Sequence, residues 1–393
     1  MMRVVLFSDT YPPQINGVAT ATFTLAETLK KYGESVLVVT VAKEGEKKIT
    51  FKDGIIRIPG ITVKRLYKYK FAGIYSQKVY DLLKKFKPDV IHVQTEVGIG
   101  IFGRIAAKNL NVPLIYTYHT MYEDYTYYVT GGWRPFDVLA KKAVGFLSAV
   151  IGDSTTEFVT TSNKTKDALK RYGVKKYINV VPNGLDFSFL AEQDMSKVRA
   201  IRDKYGLNGK TTLLILGRLA KEKNNELVLK LVSNWIISNK REDIVIMIVG
   251  DGPDKANLEK LVTSLKMDNC VRFIGAVDHA EVKDYYHASD VYISASTSET
   301  QGLTYIEAMA SDLLVLAKYD LNLTNVIDEG KTGFFFTDNN SFEEQLTKII
   351  GLSPEQKNEV IMKARRSVNQ KYSLKNFYER IINVYRKAYR RYW

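Results

Sequence analysis

The chain has 393 residues, too many for one typical hydrophobic core, so two domains are expected. An apolar fraction of 45% and a charged fraction of 25% are those of a globular protein, and no apolar stretch approaches the roughly 18 residues of a membrane-spanning helix. The net charge of +14 is unevenly held: residues 1–185 carry +12, residues 186–372 carry −3 and residues 373–393 carry +5, so the first half and the tail are expected to face a polyanion, either nucleic acid or an anionic membrane surface.

The single cysteine, Cys270, excludes an internal disulfide and suits a reducing compartment. The apolar run over residues 1–8 is broken by Asp9 and Pro12-Pro13 and is too short for a secretory signal, so a soluble or peripheral cytoplasmic protein is expected. Residues 4–8 read as a buried strand, 9–17 as a turn-rich loop, 18–32 as a helix ending at Gly33 and 35–41 as the next strand. This is a βαβ unit with glycine at its first strand-to-helix turn. Asn16-Gly17 is not a GxGxxG fingerprint, so a nicotinamide or flavin cofactor is poorly supported, although a phosphate-bearing ligand can approach such a backbone closely.

Residues 43–57 read as an exposed loop and strand. In residues 63–71 the cations Lys64, Arg65, Lys68 and Lys70 alternate with Leu66, Tyr67, Tyr69 and Phe71, and residues 76–86 form a basic helix. Further strands are expected at 90–93, holding His92, and at 113–117, with a helix at 98–109 between them. The second of these strands runs into Tyr118-His119, placing His119 at a strand's carboxyl end, where ligands of open α/β sheets collect. A helix over 137–150 and strands at 158–161 and 178–181 lead to Pro182-Asn183-Gly184, the expected domain boundary, with domains over 1–185 and 186–374.

The second half restarts the alternation. Strands are expected at 211–216, 244–249, 271–274, 291–296 and near 313–317 and 333–336; helices from 225, over 254–265 and 280–287, and from about Gly302. Two basic helices, 354–371 and 375–393, close the chain. The fold class is therefore α/β: two tandem Rossmann-like, doubly wound domains with a cleft between them.

Two loops of the second half carry the chemistry. Arg218 and Lys223 follow the strand at 211–216, a guanidinium fork and an ammonium suited to a diphosphate beside a helix end. Glu299 and Glu307 flank the helix start at Gly302, with Glu307 ~7 Å down the helix. Both acids favour the positive helix end; alternatively, each accepts hydrogen bonds from hydroxyls of a ligand whose phosphates meet that end, as in a sugar nucleotide. His119 is either satisfied in a polar loop or bonded to a sugar hydroxyl. His92, His279 and His287 read as structural, no residue set has metal-ligand spacing, and no DxD triplet is present, so no metal or other cofactor is expected. The basic-aromatic stretches suit a membrane interface or single-stranded nucleic acid, with a solvated helix face as the simpler reading of any one of them.

SETQGLTYIEAMA, with Glu299 and Glu307 eight positions apart, resembles the corresponding motif of the retaining glycosyltransferases of family 4, which have the two-domain GT-B fold. The resemblance extends to FSDTYPPQINGVAT, YTYHT, VPNGLD, GRLAKEK and VGDGP and so covers essentially the whole chain. It is nearest to the bacterial 1,2-diacylglycerol 3-glucosyltransferases. It implies that the loop of Asn16 and Gly17 approaches the donor diphosphate, that Arg218 and Lys223 bind it, and that Glu307 accepts from the ribose. Glu299 would lie by the sugar, with the backbone of Gln301, Gly302 and Leu303 against sugar and phosphate. His119 would help organise the reacting centre, Gly250 would belong to the donor side, and the strand-end region from Arg272 to Val277 would hold the uracil.

The implied activity is retaining transfer of glucose from UDP-glucose to diacylglycerol, by a peripheral enzyme on the cytoplasmic face of the membrane. Other lipid or wall-polymer acceptors are the nearest alternatives. Lys64, Arg65, Tyr67, Lys68, Tyr69, Lys70 and Asp124 are expected on the acceptor and membrane side, with helix 375–393 completing the first domain. A nucleic-acid-binding protein would leave Glu299, Glu307, Arg218 and Lys223 unexplained, so no nucleic-acid partner is expected. The chain departs from the family's pattern at Asn16-Gly17, where many relatives have Gly-Gly, at Asn224, where they have Gly, and at Ser311-Asp312-Leu313, where they often have Gly-x-Pro.

Overall fold

The computed structural model describes every residue except 15, 64–68, 120–133, 279, 297 and 298, and only the backbone of residues 62–71 and 134–141 within their elements. It divides into two compact units, residues 1–185 with 374–393, and residues 186–373. Lys64, Arg65, Tyr67, Lys68 and Asp124 lie outside the described residues, as does His279, and Tyr69 and Lys70 are described as backbone alone.

The first unit runs β1 (Arg3–Ser8), α1 (Gly17–Lys31), β2 (Ser35–Val41), β3 (Thr50–Lys52), β4 (Ile55–Ile58), β5 (Gly60–Val63), β6 (Tyr69–Ala72), α2 (Gln77–Phe86), β7 (Val90–Val93), α3 (Gly98–Leu110), β8 (Leu114–Tyr118), α4 (Arg134–Asp153), β9 (Glu157–Thr160), α5 (Asn163–Arg171) and β10 (Ile178–Val180). Eight strands form one sheet in the order β10-β9-β8-β7-β1-β2-β4-β3, parallel except for β3, and β5 and β6 form a separate antiparallel pair. Its inner parallel strands are buried on both faces, as a parallel sheet must be when helices cover it, whereas the edge strand β3 is exposed. Along β1, Val4 and Leu6 pack with Leu25, Leu29, Phe377 and Ile381, whereas Val5 and Phe7 pack with Val79, Leu83, Phe102 and Ala106.

The second unit runs α6 (Phe187–Ala191), α7 (Met195–Tyr205), β11 (Thr211–Leu216), α8 (Asn225–Ser238), β12 (Ile244–Val249), α9 (Lys255–Ser264), β13 (Val271–Gly275), α10 (Val282–His287), β14 (Val291–Ser294), α11 (Leu303–Ala310), β15 (Leu314–Lys318), β16 (Phe334–Phe336), α12 (Asn339–Gly351) and α13 (Pro354–Tyr372). Its six parallel strands lie in the order β13-β12-β11-β14-β15-β16. The last helix, α14 (Leu374–Tyr392), belongs to the first unit. There Phe377, Ile381 and Tyr385 join the α1 side of the core.

Local chemistry sets the helix ends. Asn16 caps α1 by accepting from the Ala19 N–H at 2.9 Å. Ser353 and Gln356 form a capping box at α13, with Pro354 at its first position. Four helices go beyond those expected from the sequence: α5, α6, α7 and α12. In α5 only Thr165, Ala168 and Leu169 are buried among nine residues, so its apolar period is faint. In α12, Phe342, Leu346 and Ile349 do keep the helical period, and Asp338 supplies a capping box.

Each sheet reverses its strand order once. In the first, β1 lies between β2 and β7; in the second, β11 lies between β12 and β14. A crevice opens at the carboxyl ends of the strands at such a switch point, and ligands of doubly wound folds enter there.

Candidate functional site

In the second unit the loops leaving β11 and β14 meet at the switch point. The loop after β11 holds Arg218, whose side chain is exposed, and a 3-10 turn over Lys221–Lys223. Lys223 Nζ donates to Glu299 Oε1 at 2.7 Å across the two loops. The Glu299 side chain is 11% exposed and that of Lys223 31%, so the pair is partly shielded from water. The backbone oxygen of Glu299 also accepts from Asn322 Nδ2, which ties this loop to the turn after β15.

Helix α11 starts beside this pair. Gly302 precedes it with φ +75°, a left-handed conformation that costs glycine little. A Cβ at Gly302 would lie 2.7 Å from Leu323 Cδ2 and 3.2 Å from the Tyr305 ring. Gln301 is buried, and Leu303 opens the helix. Glu307 lies one turn on, where Tyr286 Oη donates to its Oε2 at 2.9 Å. Burial raises the Glu307 pKa from 4.5 to about 7, against the lowering effect of the Tyr286 hydrogen bond. A carboxyl in that range gains from any additional hydroxyl donor that favours its ionised form.

The glycines of VGDGP have a packing role. A Cβ on Gly250 would sit 1.9 Å from the Gly217 carbonyl oxygen, and one on Gly252 2.2 Å from that of Leu219. Leu219 N donates to Asp251 O at 3.0 Å, and Asp254 N to Leu219 O at 3.0 Å. The loops after β11 and β12 are thereby laced together beneath Arg218. This close backbone approach requires glycine at 250.

Arg272 does not project toward the strand ends as its place in the uracil region implied. It stands near the start of β13, and its guanidinium donates to the carbonyls of Tyr205 at 3.2 Å and Val271 at 3.0 Å. Val277 lies past the carboxyl end of β13 and is half-buried. His287 is held by the Leu190 carbonyl at 2.8 Å and by Gln193, a structural pairing.

The three departures from the family pattern have local explanations. Asn224 has φ +53°, a left-handed position that asparagine tolerates. Asp312 has φ +64° in the turn between α11 and β15. Asn16 is the cap of α1, and its Nδ2 also donates to Thr10 Oγ1 at 2.7 Å, so its side chain is committed to the loop.

In the first unit the loops after β1 and β7 and the residue that follows β8, His119, gather at the corresponding sheet edge. Gly17 is the first residue of α1, with open space where a side chain would stand. Asp9 is buried; its carboxylate accepts from Thr95 Oγ1 at 2.6 Å and from the Ile99 N–H at 2.9 Å, which satisfies an orphan donor at the start of α3. Arg57 donates to the Pro12 carbonyl at 2.6 Å and lies over the Tyr11 ring, bracing the loop that ends at Asn16.

His119 follows β8. Its Nε2 is 2.6 Å from Gln94 Oε1, and burial lowers its pKa to about 4, so the ring is neutral. His92 lies deeper, between Tyr385 Oη and Thr117 Oγ1, each at 2.7 Å, and burial lowers its pKa to about 3. Sequence reasoning missed Gln94, Asn322 and Tyr286. Gln94 had a usable signal, its position just past the end of β7; Asn322 and Tyr286 reach their partners only through tertiary packing. Among the described residues no group of three or more His, Cys, Asp or Glu could hold a metal ion, and no helix is long and apolar enough to cross a membrane.

Comparison with known proteins is consistent over both units. The family model described as glycosyltransferase family 4 matches residues 15–189, and the one described as glycosyl transferases group 1 matches residues 197–367. A Streptococcus pneumoniae protein named alpha-monoglucosyldiacylglycerol synthase is 36% identical over 341 residues, 85% of this chain and 75% of its own. The Acholeplasma laidlawii protein of the same name is 34% identical over 355 residues, 88% of each. Among solved structures, Anabaena HepE in complex with UDP-glucose superposes with a TM-score of 0.76 at 17% identity, covering 98% of this chain and 99% of that one. That likeness is one of fold.

Proposed function

The chain belongs to the family 4 glycosyltransferases of the GT-B fold, and on that premise we propose that it transfers glucose from UDP-glucose to 1,2-diacylglycerol with retention of configuration, as a peripheral enzyme on the cytoplasmic face of a membrane. The names of the two relatives support the glucose and the lipid acceptor. The single observation that carries the donor side is the Lys223–Glu299 ion pair at the β11/β14 switch point, with the half-buried Glu307 carboxyl one turn into the neighbouring helix α11. A cation, a hydroxyl acceptor and a helix start converge there. That is the set of groups a sugar nucleotide requires: cations for its diphosphate and carboxylates for its sugar and ribose hydroxyls.

In this reading Arg218 and Lys223 stabilise charge growing on the leaving diphosphate. Glu307 accepts from the ribose, Glu299 holds Lys223 and faces the hexose, and neutral His119 bonds a hexose hydroxyl. The bond between the anomeric carbon and the diphosphate oxygen breaks with its electron pair going to that oxygen. The acceptor hydroxyl oxygen bonds to the same face of the anomeric carbon, and its proton passes to the departing diphosphate. Arg218 and Lys223 supply the positive charge for this, and no metal or other cofactor is needed.

The test is transfer of labelled sugar from UDP-glucose, UDP-galactose and GDP-mannose into vesicles containing diacylglycerol, with the product and its anomeric configuration identified. α-Glucosyl diacylglycerol formed from UDP-glucose alone is the expected result. Transfer from another donor, or into another lipid in preference to diacylglycerol, overturns the substrate assignment. A trapped covalent sugar–enzyme adduct overturns the same-face mechanism.

A further inference from the structure

The face of the first unit's sheet beneath α1 and α14 carries a short polar ladder at its carboxyl edge. His92, Gln94, Thr117 and His119 alternate along β7 and β8 and just beyond, so all four side chains emerge on this one face. They line a cavity of about 10 Å³ with Ala21, Leu25, Phe377 and Ile381, room for one water. Gln94 is 2% exposed, and its amide nitrogen is buried without a protein partner, whereas its amide oxygen meets His119 Nε2 at 2.6 Å. A buried amide with one end unsatisfied is costly. One water in this cavity would accept from one of its two N–H groups.

The amide oxygen has no proton to give, so the ring nitrogen facing it must carry one. We propose that Gln94 is a positioning residue: it locks His119 in the Nε2–H tautomer, so that the ring offers Nδ1 as a hydrogen-bond acceptor to a hydroxyl of the transferred hexose, an assignment that rests on the glycosyltransferase reading above. A neutral ring carries one proton, and fixing it on Nε2 leaves Nδ1 bare. The site then selects a ligand group that can donate, as a hydroxyl can, and disfavours a bare carbonyl or carboxylate. Burial keeps the ring neutral across the physiological range. The other titratable group lining the cavity is His92, which is also neutral. His92 is bonded to Tyr385 and Thr117, so it does not compete for Gln94.

The experiment is nitrogen NMR on the full chain labelled at its four histidines, with the His119 signals identified by their loss in His119→Gln. The wild type is expected to show a proton-bearing Nε2 and a bare Nδ1 at His119. Gln94→Leu should mix or reverse the two tautomers and lower kcat about tenfold, with the KM for the donor changed less than twofold. Gln94→Glu places a carboxylate against the ring and should protonate both nitrogens, raising the pKa from about 4 towards neutrality. Unchanged His92 signals in each variant report an intact fold. A proton on Nδ1 in the wild type overturns the proposal, as does a Gln94→Leu chain with unaltered tautomer and kcat. A chain that transfers no sugar yet shows the Nε2–H form, lost in Gln94→Leu, supports the positioning role and overturns the functional reading instead.

Discussion

Lys223 and Glu299 stand 76 residues apart and join at 2.7 Å, linking the loop after β11 to the loop that leads into α11. Replacing either residue should loosen both loops. Lys223→Met leaves a Glu299 carboxylate that is 11% exposed without this cation, so the cost should exceed that of a surface pair. A double-mutant cycle with Glu299→Gln in urea denaturation is expected to give a coupling of about 1–2 kcal/mol. Strictly additive effects would refute the coupling. Arg218→Ala and Lys223→Met should each weaken UDP binding by roughly tenfold or more, measured by calorimetry.

Glu307 makes stability depend on pH. Its folded pKa, about 7, lies above the ordinary 4.5, so the folded state holds the proton more tightly than the unfolded chain does. That contribution is complete below pH 4.5 and is lost as the pH rises through 7. Over this span it amounts to about 3 kcal/mol. Urea melts at stepped pH should show the decline in the wild type and its absence in Glu307→Gln. Parallel profiles for the two proteins would show that Glu307 is not the group responsible.

Gly302→Ala tests the start of α11. At φ +75° an alanine is strained, and its Cβ would press on Leu323 and the Tyr305 ring. A loss of about 1–3 kcal/mol is expected, with a weakened affinity for UDP. If thermal denaturation shows no loss, the backbone here adjusts freely and the helix start is not preset.

The last helix is held by a buried carboxylate. Glu157, with a side chain 1% exposed, accepts from Lys387 at 3.0 Å, from Arg391 at 2.7 Å and from Asn179 at 2.8 Å. The two cations are themselves largely able to reach water. Removing both, in Lys387→Met with Arg391→Met, should therefore cost more, about 3–5 kcal/mol, than Glu157→Gln, about 1–3 kcal/mol. Equal losses in chemical denaturation would contradict this ordering.

Helix α2 exposes Lys78, Lys84 and Lys85. If it faces an anionic bilayer, each lysine contributes about 1 kcal/mol near the surface. Charge reversal of all three should weaken sedimentation with phosphatidylglycerol vesicles at least tenfold, most at low salt. Binding that is the same on neutral and anionic vesicles excludes an electrostatic docking role for α2.

Much of this protein was legible from periodicity. The strands β11 (Thr211–Leu216) and β12 (Ile244–Val249) lie at the bounds their apolar runs indicate, because strands buried on both faces leave no polar interruption. The faint helix α5 was not legible, since only three of its residues meet the core. Arg218, Lys223, Glu299 and Glu307 announced themselves by residue type and by standing just beyond strand ends, a property of the chain's order alone. Which groups Lys223, Glu299 and Glu307 meet was set by the fold. Sheet order brings β11 and β14 side by side, and only that adjacency pairs Lys223 with Glu299. Arg272, equally basic, is bound to backbone carbonyls instead. Glu307 meets Tyr286, and His119 meets Gln94, only because packing brings residues of different elements together. Sequence specifies which groups are available; burial and through-space distance, which set desolvation and hydrogen bonding, decide their charge and their partners.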